Sequence, residues 1–588
     1  MPQSKNRPAE TADTHPGSSG ERRGYNAPKP DGFRDTIESI VIAFIFAFVF
    51  RAFVVEAFVI PTGSMAPTLY GMHGQHRCAC CRYPFAYGIR EHTIVNGKAQ
   101  GGTLGNESFT VRCPNCDWKG AGNKLHTAKH PVSPDAGDRI LVMKWPYDIG
   151  GSELGPKRWD VVVFKDPQNG DQNFIKRLLG RPGEVLEIID GDIYTAPVGD
   201  LSAELMAALQ QERPRRVPHP KPLPTKLRRE LDEKLGIQRK PSVAQESLWL
   251  IHYDHDYPPD ENFTKGNPSS SFDPPVWRPS GNERESPWDT QSPRITFAPD
   301  DDKEYEIRLT GKPIQDHYGY NLPRQSSHND QANVRDVRVR FVLFPKAAEG
   351  TLTLTLTKED EFRARINADG TVILEKVVPD RARRKETPVK LAAAKIAPLQ
   401  VDRPVAIEFE NLDHRIALRI DDEEVLATTD DQYSPEISKL RTRSNRHLPP
   451  AQFAISANTL ALEIRHLQVH RDVYYRNTTQ TELESPATKV TNDYAHQPGW
   501  GTTNYPILLR AEPGDYFCCG DNSPQSKDSR LWWEVCPMLQ ARNNYNPGTV
   551  PADQMIGRAF FVYWPSGYRL FSAPFGFIPN VGRMRIIR

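Results

Sequence analysis

At 588 residues the chain is too long for one ordinary hydrophobic core, so about two to four domains are expected. Its 75 Lys and Arg against 74 Asp and Glu leave a net charge of +1, which excludes any bulk electrostatic argument for nucleic acid or an acidic surface as a partner. The 52 prolines concentrate between 196 and 325, where they argue for extended connections rather than long helices.

Residues 1–32 are polar and rich in Pro, Gly, Ser and charge, the composition of a disordered tail. The composition then changes abruptly: residues 40–50 are apolar without interruption, and with their flanks they make a candidate membrane anchor at 33–55. Arg51 near its end can snorkel to the interface. No small-residue cleavage site follows, which favours an uncleaved anchor over a signal peptide. Lys5, Arg7, Arg22, Arg23, Lys29 and Arg34 precede the apolar stretch and predict a cytoplasmic amino terminus with the remainder outside.

The β-branched and aromatic run 53–60 reads as a strand that delivers Ser64 to a turn, in IPTGSMAPTL at 60–69. A serine on a turn beside a bilayer is a candidate nucleophile, provided that a base is found for it. Residues 71–136 then carry Cys78 and Cys81, and after 31 intervening residues Cys113 and Cys116. Two Cys-x-x-Cys knuckles suit a four-thiolate zinc ribbon, with Cys80 and His76 as spare ligands, while disulfides compete in an oxidising compartment.

Four short β-type runs follow at 138–144, 159–165, 173–179 and 184–189, with turns at roughly hairpin spacing. Residues 196–330 read as a Pro-rich linker and irregular segment, with a short helix at 225–235. Period-2 runs at 337–344, 351–357, 361–366, 371–375, 405–410 and 415–420, and more in 453–473, predict a two-sheet β-sandwich inserted at 331–500. This stretch resembles laminin-G or concanavalin-like jelly rolls, whose folds often bind glycans, so a glycan or protein ligand is a candidate partner.

Lys176 is the candidate base. Alternation along 173–179 puts it on one face with Phe174 and Leu178, where burial would lower its pKa toward neutrality, and puts Ile175 and Arg177 on the other face. Near the end of the chain, GDNSPQSKDSR at 520–530 packs Asp521, Ser526, Asp528 and Arg530 into an irregular loop suited to supporting a site.

IPTGSMAPTL (60–69), GDRILVMKW (137–145), DVVVF (160–164), IKRLLGRPGE (175–184) and GDNSPQSKDSR (520–530) together resemble the type I signal peptidase family, the membrane-anchored Ser-Lys proteases. The likeness covers residues 33–70, 137–195 and about 505–566. It implies a mainly β fold, with an antiparallel catalytic domain built from 56–70, 137–195 and 501–588 behind one transmembrane helix. By the same resemblance Ser64 is the nucleophile and Lys176 its general base. Ser526 would bond the lysine amine, and Asp528 and Arg530 would hold the loop. The oxyanion would be held by the Ser64 N–H and the Thr62 hydroxyl, and Met65 would pack beside the nucleophile. It further implies cleavage of preprotein signal peptides after Ala-x-Ala sites at the outer face of the cytoplasmic membrane, with membrane lipid as neighbour and no catalytic cofactor. Two positions depart from the family pattern: Ser523 stands for an arginine and Trp533 for a glycine. The alternative is a membrane-anchored binding protein with a degenerate peptidase domain. Cys518, Cys519 and Cys536 have no assigned pairing.

Overall fold

The computed structural model describes residues 32–88, 93–95, 98–100, 110–121, 135–149, 154–210, 223–260, 263, 272–321, 331–380, 385–442, 449–476, 499–533, 536–541, 545–567 and 578–587. The expected disordered tail therefore lies almost wholly outside the described residues.

The chain divides into two units, residues 1–54 and 55–588. The first contains the helix Gly32–Phe53. Phe33–Phe53 of this helix is long and apolar enough to cross a membrane, and none of its apolar window is buried by protein. At about 1.5 Å per residue such a helix matches the ~30 Å hydrocarbon layer. The helix runs one residue, Phe53, into the segment read as strand, and the strand is the shorter Val55–Val59.

The second unit is almost all antiparallel sheet. One eight-stranded sheet runs in the order Val55–Val59, Arg139–Met143, Met555–Trp564, Val161–Lys165, Asn173–Gly180, Asp515–Cys519 and Val550–Pro551, with Arg585–Ile586 beside Met555–Trp564. The Ser64 turn and the Lys176 strand therefore hang from one sheet although they are far apart in sequence. Met65, Leu69, Ile140, Val142, Val161 and Ile175 form the core beneath them. A second sheet orders Gly236–Ile237, Asp192–Pro197, Glu184–Ile189 and Ile507–Leu509. The helix Thr225–Lys234 was expected, and its buried Leu227 and Leu231 pack with Val185 and Tyr194 of that sheet. The helix Ala203–Gln210 was not expected.

The two remaining large sheets make the sandwich. Their inner faces meet in a core that includes Phe341, Leu354, Phe362, Ile407, Phe409, Ile455 and Ile464. The alternation is plain in Glu361–Asn367, where Phe362, Ala364 and Ile366 are buried and the residues between are not. The sandwich begins earlier than 331. Leu250–Asp254, Ile295–Phe297 and Trp288–Asp289 belong to one sheet, and Val276–Pro279 and Tyr305–Thr310 to the other. This corrects the reading of 246–330 as irregular linker. These strands are two to six residues long and separated by Pro and Gly, so the turn signals outweighed their short alternation.

Candidate active site and cysteine cluster

Gly63–Met65 forms a single 3-10 turn with Thr62 extended before it, which presents Ser64 at the mouth of the sheet. Lys176 Nζ stands 2.7 Å from Ser64 Oγ and donates to the Ile175 carbonyl at 3.0 Å. Both side chains are buried, at 4% exposure for Lys176 and 8% for Ser64. Burial pulls the lysine pKa down to about 8, against the pull of the Asp528 carboxylate, which favours the charged form. Thr62 Oγ1 lies 3.5 Å from Ser64 Oγ. Met65 is fully buried in the core under the turn.

The loop after Asp515–Cys519 closes on this pair. Asp528 accepts from the Gly520 N–H at 2.9 Å and from Arg530 Nε and Nη2, each at 2.8 Å. Burial alone would raise the Asp528 carboxyl, but the Arg530 charge and these bonds hold it below the usual value. Ser526 is wholly buried, and its hydroxyl lies near enough to the Asp528 carboxylate to help hold it ionised. The lysine amine was expected to take Ser526 and instead curls back to its own strand at Ile175. Gly520 lies between Ser526 and the Ser64 turn: a Cβ there would run into both Ser526 Oγ and the Ser64 carbonyl, so only glycine permits the approach.

Asp521 is paired with a residue that the sequence reading left without a role. Arg177 Nε and Nη2 each donate to it at 2.8 Å, and Arg177 Nη1 donates to the Trp159 carbonyl, all out of solvent. Adjacent residues of one strand thus do opposite work: Lys176 points to Ser64, and Arg177 ties the back of the strand to the loop. Asn522 was also missed. Its N–H donates to the Ser64 carbonyl at 3.0 Å and its Nδ2 to the Gly63 carbonyl at 2.9 Å, fixing the turn itself. The two departures from the family pattern are both absorbed. Ser523 Oγ accepts from Arg530 Nη1 at 2.8 Å and from the Arg476 N–H at 2.8 Å. The Trp533 ring packs on Trp500, with centroids 4.3 Å apart.

Cys78, Cys81, Cys113 and Cys116 converge, with all four sulfurs within 4.8 Å of one another and every one buried. Cys78 Sγ lies 3.5 Å from Cys116 Sγ, and Cys81 Sγ lies 3.7 Å from Cys113 Sγ. Tetrahedral zinc with bonds of about 2.3 Å sets sulfurs roughly 3.8 Å apart, so the donor set fits that ion. All eight cysteines of the chain are unbonded to one another, which goes against the disulfide reading. Cys80 is buried beside the cluster but outside the converging set, and His76, half-buried, also lies outside it, with its ring stacked on Trp118.

Residues 128–266 and 449–564 match the family model of signal peptidase, peptidase S26. The match takes in Lys176 and the loop 520–530 and begins after Ser64. Signal peptidase I of Pseudomonas fluorescens is 43% identical over 60 residues, 9% of this chain and 21% of its own. That of Aquifex aeolicus is 49% identical over 51 residues, 9% and 18%. That of Rickettsia bellii is 24% identical over 157 residues, 27% and 37%. The chain thus spans well under half the length of these relatives. Among solved structures, the carbohydrate binding module CBM66 from Bacillus subtilis is 14% identical, covering 33% of this chain and 94% of its own at a TM-score of 0.22. The exoplasmic/lumenal domain of VIP36 is 10% identical, covering 37% and 91% at a TM-score of 0.22. Scores of this size carry no statement about a ligand.

Proposed function

We propose, for a chain whose catalytic portion belongs to the signal peptidase, peptidase S26, family, that it is a serine endopeptidase removing signal peptides from exported preproteins after Ala-x-Ala sites. The observation that carries this reading is the buried 2.7 Å approach of Lys176 Nζ to Ser64 Oγ. With one amine hydrogen given to the Ile175 carbonyl, a neutral Lys176 turns its lone pair to the serine O–H.

Ser64 Oγ attacks the scissile carbonyl as its proton passes to Lys176. The Ser64 N–H and the Thr62 hydroxyl hold the oxyanion, an interaction whose loss costs on the order of 10²-fold in rate. The ammonium then protonates the leaving amine, the acyl-enzyme forms, and the free amine activates the water that resolves it. Asp528, Arg530, Arg177 and Asp521 position these groups without touching the substrate.

The apolar helix anchors the protein in the cytoplasmic membrane with residues 55–588 on the outer side, where a preprotein presents its cleavage site. The four-cysteine cluster holds a structural zinc ion that takes no part in hydrolysis. A glycan or protein ligand of the sandwich would meet the polar hollow of about 390 Å³ around Thr353, Thr355, Arg308, Arg363 and Arg365.

Detergent-solubilised protein should cut a preprotein after an Ala-x-Ala sequence, and Ser64→Ala and Lys176→Ala should each abolish cutting while thermal unfolding stays unchanged. Cutting at the normal rate by both variants would refute the dyad. Binding of preprotein without any cutting by the unaltered chain would favour the degenerate-scaffold alternative.

A further inference from the structure

The cysteine cluster lies one segment away from the nucleophile, and that segment is residues 312–321. The two knuckles are the same turn made twice. Arg82 N–H donates to the Cys78 carbonyl and Asp117 N–H to the Cys113 carbonyl, each at 3.1 Å, and Arg82 and Asp117 sit at φ +66° and +65°. Left-handed backbone at two non-glycine residues persists only where the surroundings impose it. The strands flanking the knuckles are short, and hairpins of that size are marginal without a further tie.

The second knuckle grips the segment directly. Asp117 is ion-paired with Lys312, and Pro114 packs onto Gly319. The strand after the first knuckle ends at Gly88, whose N–H donates to the Tyr320 carbonyl at 2.7 Å. Asn115, between the ligands, accepts from the Asp254 N–H at 2.7 Å and donates to the Tyr257 carbonyl at 2.8 Å, which seats the knuckle on the sandwich.

The other face of the same segment meets the active site. The Tyr320 ring covers Gly63, where any Cβ would strike it, and its hydroxyl donates to the Met72 carbonyl at 3.2 Å. The amides of Asn321 and Asn522 bond reciprocally at 2.8 and 2.7 Å, and Asn522 is the residue that holds the Gly63 and Ser64 carbonyls. The Tyr318 hydroxyl donates to the Asp521 carbonyl at 2.9 Å.

We infer that a zinc ion on Cys78, Cys81, Cys113 and Cys116 clamps residues 312–321 against the nucleophile turn, so that metal occupancy sets turnover through Tyr320 and Asn321 as positioning residues. Zinc is the tie that makes the knuckles rigid. Rigid knuckles hold the segment, and the segment holds Ser64 at its distance from Lys176. The metal stays outside the chemistry. This rests on the protease reading above, and its test includes a readout independent of cleavage.

The experiment uses the full chain in detergent. Elemental analysis should find one zinc per chain, lost together with Cys113→Ser. A strong chelator should lower kcat on the order of tenfold or more with little change in KM, as misplacing a catalytic group does, and stoichiometric zinc should restore it. Asn321→Ala should lower kcat to a similar degree with zinc content unchanged, and Asn321→Gln should recover part of it. Amide hydrogen exchange, read with and without zinc, should rise at 63–72 and 314–321 on metal removal while the sandwich strands stay protected. Full activity and unchanged exchange in the metal-free protein would overturn the coupling, as would an absence of both zinc and free thiols in the purified chain. If zinc binds and exchange responds but the unaltered chain cuts no preprotein, the protease reading fails and only the metal's hold on residues 312–321 and the Ser64 turn stands.

Discussion

In the proposed reaction the chemistry turns on the charge state of one amine. Lys176 is buried beside Ser64, and burial lowers its pKa to about 8 although the nearby Asp528 carboxylate favours the ammonium. Only the neutral amine accepts the serine proton, so kcat/KM should rise about tenfold per pH unit below that value and level off above it. The sign follows from the direction of the shift: lowering the pKa populates the base at neutral pH, where an ordinary lysine with a pKa of about 10.4 is almost wholly charged. A pH series of preprotein cleavage at saturating detergent checks this. A midpoint near the unperturbed lysine value, or a rate flat through neutrality, would remove Lys176 from the role of base. Lys176→Arg should be inactive throughout the series, since guanidinium does not deprotonate in this range. The alternation of residues 173–179 put Lys176 on one face with Phe174 and Leu178 but did not make its burial legible, because both faces of the strand are covered, Ile175 and Arg177 included. The Ile175 carbonyl as its partner was not legible, since a backbone acceptor leaves no mark on side-chain pattern.

At the level of elements, the site is a strand and a loop tied back to back by an ion pair whose members are distant in sequence. Arg177 and Asp521 are fully buried and bidentate, so removing one partner strands the other as an uncompensated charge. Arg177→Met should therefore cost about 3–5 kcal/mol of stability, and replacing both residues by apolar ones should recover much of it. Thermal unfolding of the single and double variants measures this, and a single variant within about 1 kcal/mol of the parent would show that the pair carries no such weight. Both residues stood in recognisable motifs, yet only the fold shows that they meet. The same limit applies to strands. Phe362, Ala364 and Ile366 announce Glu361–Asn367 by themselves. Trp288–Asp289 has two residues and no period to read. Lys385–Lys395 and Glu423–Ala427, each last in its sheet, carry Lys, Ala and Glu where a central strand would carry Val and Ile. Residues 312–321 form no long element, so nothing in their sequence points to Gly63.

Across the whole of residues 55–588, the sandwich is built into the portion that carries Ser64 and Lys176 rather than appended to it. Asp192, from the sheet beside the active site, and Asp336 and Asp413, from the sandwich, bring carboxylate oxygens within 4.8 Å of one another. Lys240 answers them, with Nζ 2.6 Å from Asp413 and 2.8 Å from Asp472. Burial raises the carboxyl pKa of Asp192, Asp336 and Asp472, while Lys240, itself buried, is held well above its usual value because the Asp413 and Asp472 charges outweigh its desolvation. Asp316 extends the junction by pairing with Arg476, whose carbonyl accepts from Arg530 Nη1 of the active-site loop at 2.9 Å. A junction that shares buried charges cannot open on one side without exposing unpaired groups on the other. Residues 55–588 should accordingly unfold on heating in one cooperative transition, seen alike by far-UV circular dichroism and by loss of preprotein cleavage. Lys240→Met should move that single transition down, because Asp413 and Asp472 lose the buried ammonium that is paired with both of them, at a cost of about 3–5 kcal/mol. Two separate transitions in the parent chain, with activity lost in one and most of the strand signal in the other, would mean that the sandwich is an independent passenger and that the charges at the junction do not couple it to the site.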